Sequence, residues 1–363
     1  MEFIDLQTQY RAMRDPINQA IQTVLDSSRY INGPQVKELE TALAAFVGCD
    51  HAVGFSSGTD ALLAILMAKG IGPGDEVITT PFTFIATAET IALAGAKPVF
   101  VDVEPDTLNI DPNRIDAAIT PRTKAIMPVS IFGQCADLDA INAIAATRDL
   151  WVLEDACQSF GAANRGRRSC SMTTAAATSF FPAKPLGCYG DGGMAFTHDA
   201  ELAQQLRVIR EHGQIAQYQH AVLGINGRLD SIQAAILLAK LPHFEGEIQA
   251  RQQVAARYAE LMGGKVRIPV IRPENLSVFA QYTIRIAGRE QVRATLSQAG
   301  IPTAVHYPIP LHHQAVFAHL GHAREAFPHA TLAASEVISL PMHPYLTAEQ
   351  QEAVTQAVLR AVA

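Results

Sequence analysis

The chain has 363 residues, 28 basic against 35 acidic, for a formal net charge of −7 and a pI near 5.9, a balance that argues against a nucleic-acid binder. Only 17% of the residues are charged and 48% are hydrophobic, against about 25% charged in ordinary soluble domains, so part of the surface is expected to be buried between subunits. The length exceeds the roughly 250–300 residues at which a single core stops growing, which favours a large domain with a smaller companion.

The opening Met1-Glu2-Phe3-Ile4-Asp5 is acidic and lacks the basic and apolar regions of a secretory signal. No apolar run approaches the roughly 18 residues of a membrane span, so a cytoplasmic protein that binds neither membrane nor nucleic acid is expected. Ile17, Ile21, Val24 and Leu25 recur at helical spacing, Gly33-Pro34 breaks the chain, and a second helix runs through Leu39 and Leu43. Residues 1–48 read as a helical arm packing with the small domain.

From His51 short apolar runs alternate with helical ones: Ala52 to Phe55, then Ala61 to Met67; Val77 to Thr79, then Ile85 to Leu93; Pro98 to Val103; Ala125 to Ile131, then the helix Leu138 to Ala146; Trp151 to Glu154. Such alternation implies an α/β fold with a mostly parallel sheet covered on both faces. Thr174 to Phe181 and Gly193 to Thr197 add two strands and complete a large domain over 49–240. A long helical region from Asp199 to Tyr258, interrupted near Gly224 to Gly227 and at Pro242, leads into a smaller C-terminal α+β domain over 241–363. Its expected strands are Tyr282 to Ile286 and Thr303 to Tyr307, and its expected helices Val292 to Gln298 and Glu349 to Val362.

Five scattered cysteines without a C-x-x-C pair suggest neither a disulfide framework nor a zinc site. His312-His313 invites a metal assignment, but adjacent residues of a strand or helix point in different directions, and no metal site is expected. Cys157 reads as a small buried residue rather than a nucleophile.

Three features carry chemistry. Ser56-Ser57-Gly58-Thr59-Asp60 lies between a strand and a helix, where free N–H groups and the helix dipole favour a phosphate, although Ser and Thr also serve there as ordinary caps. Asp155 closes the run from Trp151, at the carboxyl end of a strand, where open α/β sheets place ligands. Lys184 lies in the apolar Phe180-Phe181-Pro182-Ala183-Lys184-Pro185-Leu186-Gly187. A desolvated lysine loses its proton more readily and forms Schiff bases. Together the three match the needs of pyridoxal phosphate.

These residues resemble the DegT/DnrJ/EryC1/StrS family of sugar aminotransferases, which have the type I pyridoxal phosphate-dependent transferase fold. The resemblance spans essentially the whole chain, through Phe3-Ile4-Asp5-Leu6, Tyr30-Ile31-Asn32-Gly33-Pro34, His306-Tyr307-Pro308-Ile309-Pro310-Leu311 and Leu340-Pro341-Met342-His343-Pro344. It implies that Lys184 is the Schiff-base lysine, that Asp155 pairs with the cofactor's pyridinium, and that Gln158 bonds its phenolic oxygen. Gly58, Thr59 and Ser179 are implied to hold the phosphate, with Asn226 reaching it from a second subunit of a homodimer, and Phe84 to stack on the ring. For substrate the resemblance points to Arg228, His306 and Tyr307 at the sugar, with Arg29 and Tyr30 at the entrance. Gly133-Gln134-Cys135-Ala136-Asp137 and Phe180 to Gly193 bring the chain nearest to members that aminate a UDP-linked 2-acetamido-3-keto-uronic acid at C3, with glutamate as donor, for surface polysaccharide (O-antigen) precursors. A TDP- or GDP-linked 3- or 4-ketosugar is the alternative within the family, and a non-catalytic regulator that keeps the fold is the alternative outside catalysis. Family dehydratases carry histidine at the lysine position, which Lys184 disfavours.

Overall fold

The computed structural model of the chain describes residues 1–362. Three helices open it: α1 (Leu6–Ala12), α2 (Arg14–Ser27) and α3 (Pro34–Val47). Pro34 begins α3, where its missing N–H goes unneeded, and Gly48 ends it in the left-handed conformation at φ +77°. The alternating region then gives β1 (His51–Phe55), α4 (Gly58–Ala68), β2 (Glu76–Thr79), α5 (Ala86–Leu93), β3 (Lys97–Phe100), β4 (Thr123–Ile126), α6 (Leu138–Thr147), β5 (Trp151–Asp155), β6 (Ala175–Ser179) and β7 (Gly193–Thr197). These strands form one sheet in the order β1-β7-β6-β5-β4-β2-β3, with β7 antiparallel to both neighbours and the other pairs parallel.

Successive strand residues face opposite sides, and the burial follows that rule. Ala52, Ile78, Ile126, Val152 and Ala176 join one apolar layer with α3, α6 and the first half of a long helix, α8 (Ser231–Met262). Val53, Val77, Ala125, Leu153 and Ala177 join the other with α4 and a helix that precedes α8, α7 (Ala200–Ile209). A third cluster belongs to the C-terminal part: β8 (Tyr282–Arg285) pairs antiparallel with β9 (Val337–Leu340), flanked by α9 (Arg289–Gln298) and α11 (Ala348–Val362), while Ala330, Ala333 and Ala334 of α10 (Pro328–Glu336) join Phe82, Phe100 and Ile131 in a fourth.

Four expectations are revised. The helical region after Asp199 is interrupted over a longer stretch than the glycines suggested, by a hairpin pairing Gln214–Ala216 with Gln219–His220. Pro242 does not break α8, which continues for 32 residues and crosses the expected boundary at 240. A proline costs a helix one hydrogen bond and a steric clash, and the apolar packing of Ala234 and Leu237 before it and of Phe244, Ile248, Val254 and Tyr258 after it outweighs that. The arm divides instead of packing as a whole with the small domain. Phe3 O accepts from Met342 N, but Met13 and Ile17 pack on Ile236, and α3 sits in the sheet's own core because its Val36, Leu39, Leu43 and Val47 face Ala52 and its neighbours. Finally, Thr303 to Tyr307 is not a strand. It makes a single bridge, Ala304 to Ser339, because Pro302, Pro308 and Pro310 lack the donors a ladder needs.

Candidate active site

The parallel strands deliver their last residues to one edge. Phe55 ends β1, Asp155 ends β5 and Ser179 ends β6, the position where open α/β sheets bind ligands. Alternation separates the two neighbouring carboxylates. Glu154 turns inward, fully buried, and accepts from Ser130, Ser169 and Cys170 N, while burial raises its pKa. Asp155 turns toward the loops, where Oδ1 accepts from Cys157 N at 3.2 Å and Oδ2 from Thr87 Oγ1 at 2.7 Å.

Beside it, α4 begins at Gly58 with Ser57 as its cap, accepting from Asp60 N at 3.0 Å. A Cβ on Gly58 would lie 2.9 Å from both Cys157 Sγ and Ser179 Cβ, and one on Gly193 would lie 2.3 Å from Ser57 C. Glycine at these two positions lets three strand ends meet around the first N–H groups of α4. Thr59 follows on the first turn, half-buried, as is Ser179.

Lys184 occupies a tight turn between β6 and β7, in which its own N–H donates to Phe181 O and Cys188 N to Phe180 O, each at 2.8 Å. Phe180 and Leu186 are buried but Phe181 is 52% exposed, and Lys184 is half-buried instead of fully desolvated. Its side chain makes no hydrogen bond or ion pair among the described residues. The turn is underpinned from α8 by Lys240, 2% exposed, whose Nζ donates to Gly187 O and whose pKa burial pulls down to about 8.

Gln158 Oε1 accepts from Phe132 N at 2.9 Å, which orients the amide so that Nε2 donates to Tyr307 Oη at 3.1 Å. Tyr307 packs against Phe84 with ring centroids 6.0 Å apart, and Phe84 leaves 54% of its surface open. His306 Nδ1 lies 3.0 Å from Ser339 Oγ. Burial, then the nearby Lys184, lowers its pKa to about 4, so the ring is neutral at pH 7. Burial, reinforced by Asp155, pushes the Cys157 thiol well up despite Lys184, the opposite of what a nucleophile needs.

The structure thus gathers Gly58, Thr59, Phe84, Asp155, Gln158, Ser179, Lys184, His306 and Tyr307. It does not bring in the remaining four from the same chain. Gly227 O accepts from Ser56 N at 2.8 Å, so the segment carrying Asn226 and Arg228 runs beside the α4 cradle, but Asn226 is exposed and Arg228 pairs with Glu211 at 3.2 Å. Arg29 and Tyr30 have exposed side chains, and their backbone is engaged within the chain, Arg29 N donating to Ser27 Oγ and Tyr30 O accepting from Ser231 N. His312 and His313 correct an argument rather than a residue role: on the 3-10 turn Leu311–His313 their ring centroids lie 4.0 Å apart with the planes tilted by 55°, and both face Arg324 O.

This donor set fits pyridoxal phosphate. It offers an amine without a partner, a carboxylate held at a strand end, an open aromatic face, and a cradle of N–H groups that a single Cβ would fill. Sequence reasoning missed Thr83, Thr87, Gly193 and Lys240. A threonine within the apolar Phe82 to Ala88 and a lysine within Ala234 to Leu241 were signals available for two of them.

Residues 11–359 match the DegT/DnrJ/EryC1/StrS aminotransferase family. The chain is 56% identical to the UDP-2-acetamido-2-deoxy-3-oxo-D-glucuronate aminotransferase of Pseudomonas aeruginosa strain PAO1, over 95% of this chain and 96% of that one. It is 49% identical to a protein of Geobacillus stearothermophilus named pleiotropic regulatory protein, over 98% and 96%. Among solved structures, that of S. venezuelae DesV in complex with a ketimine intermediate superposes with a TM-score of 0.97 at 40% identity, covering 99% of this chain and 98% of that one.

Proposed function

The chain belongs to the DegT/DnrJ/EryC1/StrS aminotransferase family, and on that premise we propose that it transfers an amino group from glutamate to the C3 ketone of a UDP-linked 2-acetamido-3-keto-uronic acid. It is a pyridoxal phosphate-dependent nucleotide-sugar aminotransferase. The observation that carries the proposed substrate is the 56% identity over nearly the full length of a relative named for that sugar. The product is a 3-amino sugar nucleotide, a precursor for surface polysaccharide such as O-antigen. The reaction is assigned to the cytoplasm; no helix of the described residues is long and apolar enough to cross a membrane.

When bound, the cofactor supplies an aldehyde that captures amines and a ring that accepts electrons. Lys184 would hold it covalently, and its Nζ, once freed and unprotonated, would carry the proton from the donor's α-carbon to the cofactor's C4′ and, in the second half-reaction, from C4′ to C3 of the sugar. Asp155 would face the ring nitrogen and keep it protonated. The second Nε2 hydrogen of Gln158, free of Tyr307, would donate to the phenolic oxygen. The N–H groups at Gly58 and Thr59, with the Ser179 hydroxyl, would bind the phosphate where the helix dipole favours negative charge. Phe84 would cover one ring face. Neutral His306 and the Tyr307 hydroxyl offer hydrogen bonds to the sugar without adding charge beside Lys184.

Asn226, Arg228, Arg29 and Tyr30 are assigned to the site of a second copy, in a homodimer with two shared sites. The hairpin region before α8 supports this, because Ile215, Tyr218, Val222 and Leu223 are all more than half exposed. Four large apolar side chains on one protruding segment are unusual for a free surface. Arg228 suits the uronate carboxylate, which a guanidinium binds through two parallel hydrogen bonds. The domain reading, a large unit over 49–240 and a small one over 241–363, is proposed with α8 as the connecting element.

The test is single-turnover spectroscopy. The purified protein is converted with glutamate to its amino form, and UDP-, TDP- and GDP-linked keto sugars are then added separately, with K184R as control. Return of the original absorbance with the UDP 3-keto-uronic acid alone is expected, and K184R is expected to show neither that absorbance nor turnover. Return only with a TDP- or GDP-linked sugar moves the substrate. Bound cofactor with no half-reaction would favour a regulator, the reading suggested by the Geobacillus relative's name.

A further inference from the structure

Thr87 is completely buried within the first turn of α5, in an apolar stretch where valine has the same shape. A buried hydroxyl costs free energy unless it is hydrogen-bonded, and helical threonines usually satisfy theirs on the preceding turn. Thr87 does otherwise. Its Oγ1 reaches across to β5 and donates to Asp155 Oδ2 at 2.7 Å. A hydroxyl has one hydrogen, and a carboxylate has none to give. The 3.0 Å contact between Thr83 Oγ1 and Thr87 Oγ1 therefore has one direction, with Thr83 donating. The result is an ordered chain, Thr83 to Thr87 to Asp155, in which each hydroxyl donates to the next group and Cys157 N holds the carboxylate's other oxygen.

The same segment carries Phe84, between the two threonines. We infer that Thr87 is a positioning residue that locks the Asp155 carboxylate toward the ring nitrogen of the cofactor and, through the Thr83–Phe84 turn, fixes the stacking face against it. The inference rests on the assignment of Asp155 given above.

The test uses holoenzyme variants T87V, T87S, T83V and D155N, reading equilibrium affinity for pyridoxal phosphate and the pH midpoint of the bound cofactor's absorbance. Loss of a hydrogen bond to a charged group is expected to weaken cofactor affinity about tenfold or more in T87V, with the midpoint moving in the same direction as in D155N. T87S, which keeps the hydroxyl, is expected to restore both to within about twofold, and T83V to shift them the same way by less. Unchanged affinity and midpoint in T87V, or a T87S that behaves like T87V, would overturn the inference. If T87V does not fold, T83V decides: a shift toward D155N supports the chain, and none overturns it. If D155N itself leaves the midpoint unmoved, the assignment of Asp155 fails; if D155N moves it and T87V does not, only the role of Thr87 fails.

Discussion

Tyr307 Oη accepts a hydrogen bond from Gln158 Nε2 at 3.1 Å, joining the loop after β5 to the turn that precedes the C-terminal 3-10 segments. Burial, with Asp155 and Cys157 nearby, raises the phenol's pKa, so it remains a donor at every working pH. Tyr307→Phe removes the acceptor and leaves a buried amide hydrogen unmatched, which costs about 1–3 kcal/mol. The expected result is a drop of about tenfold or more in kcat/KM for the sugar, with a smaller change in glutamate half-reaction rate. Comparing the two half-reactions checks it, and equal losses in both would assign Tyr307 to general stability instead.

The cradle at α4 predicts an order of severity. A methyl on Gly193 meets the backbone at Ser57 C and Gly58 N, which cannot give way, whereas one on Gly58 meets the Cys157 thiol and Ser179 Cβ at 2.9 Å and backbone only at Ser179 Cα, 3.2 Å away. Overpacking costs about 1–3 kcal/mol where side chains absorb it, so Gly58→Ala is expected in that range and Gly193→Ala beyond it. Adding Cys157→Ala should recover part of the Gly58→Ala loss and none of the Gly193→Ala loss. Urea unfolding of the four variants gives the answer.

The sheet was legible because strands buried on both faces read as continuous apolar runs, and Asp155 and Lys184 because a carboxylate ending one and a lysine inside an aromatic turn stand out. Glu154 and Asp155 could not be told apart by spacing alone, since only the direction of the last strand residue decides which faces the loops. The hairpin before α8 was hidden in an apparently helical region, as its apolar residues have no periodicity to report. Thr87 and Gly193 act through contacts across 68 and 136 residues of chain, to Asp155 and Ser57, and such pairings leave no local pattern.

Arg228 is held in its own chain by Glu211, which also accepts from Asn32 at 2.7 Å. That anchoring leaves other guanidinium donors free for a carboxylate. Arg228→Ala is expected to raise KM for the uronic acid substrate by about 10- to 100-fold, the loss typical of a charge-assisted pair, with kcat changed little. A UDP 3-keto sugar lacking the carboxylate provides the control: its KM should be nearly the same in wild type and Arg228→Ala. A parallel rise for both sugars would return Arg228 to a structural ion pair.

Three histidines, His312 and His343 buried and His306 half-buried, set the acid limit of the fold. Burial lowers His306, His312 and His343 to about 4, with Lys184 adding to the effect on His306 and His313 to that on His312. The unfolded chain titrates them near 6.5, so between about 6.5 and 4 it binds more protons than the folded one. Stability therefore rises with pH across that window and falls on acidification, by up to about 1.4 kcal/mol per pH unit for each histidine. His343 is the clearest reporter, being 2% exposed, with Asp5 and the Glu2 backbone raising its pKa and Arg251 adding to the lowering by burial. His343→Leu is expected to make the urea midpoint less steep against pH between 6.5 and 4.5 by about one proton's worth. Parallel curves for the two proteins would mean that His343 is already charged when folded, and the acid sensitivity would then have to come from the other two.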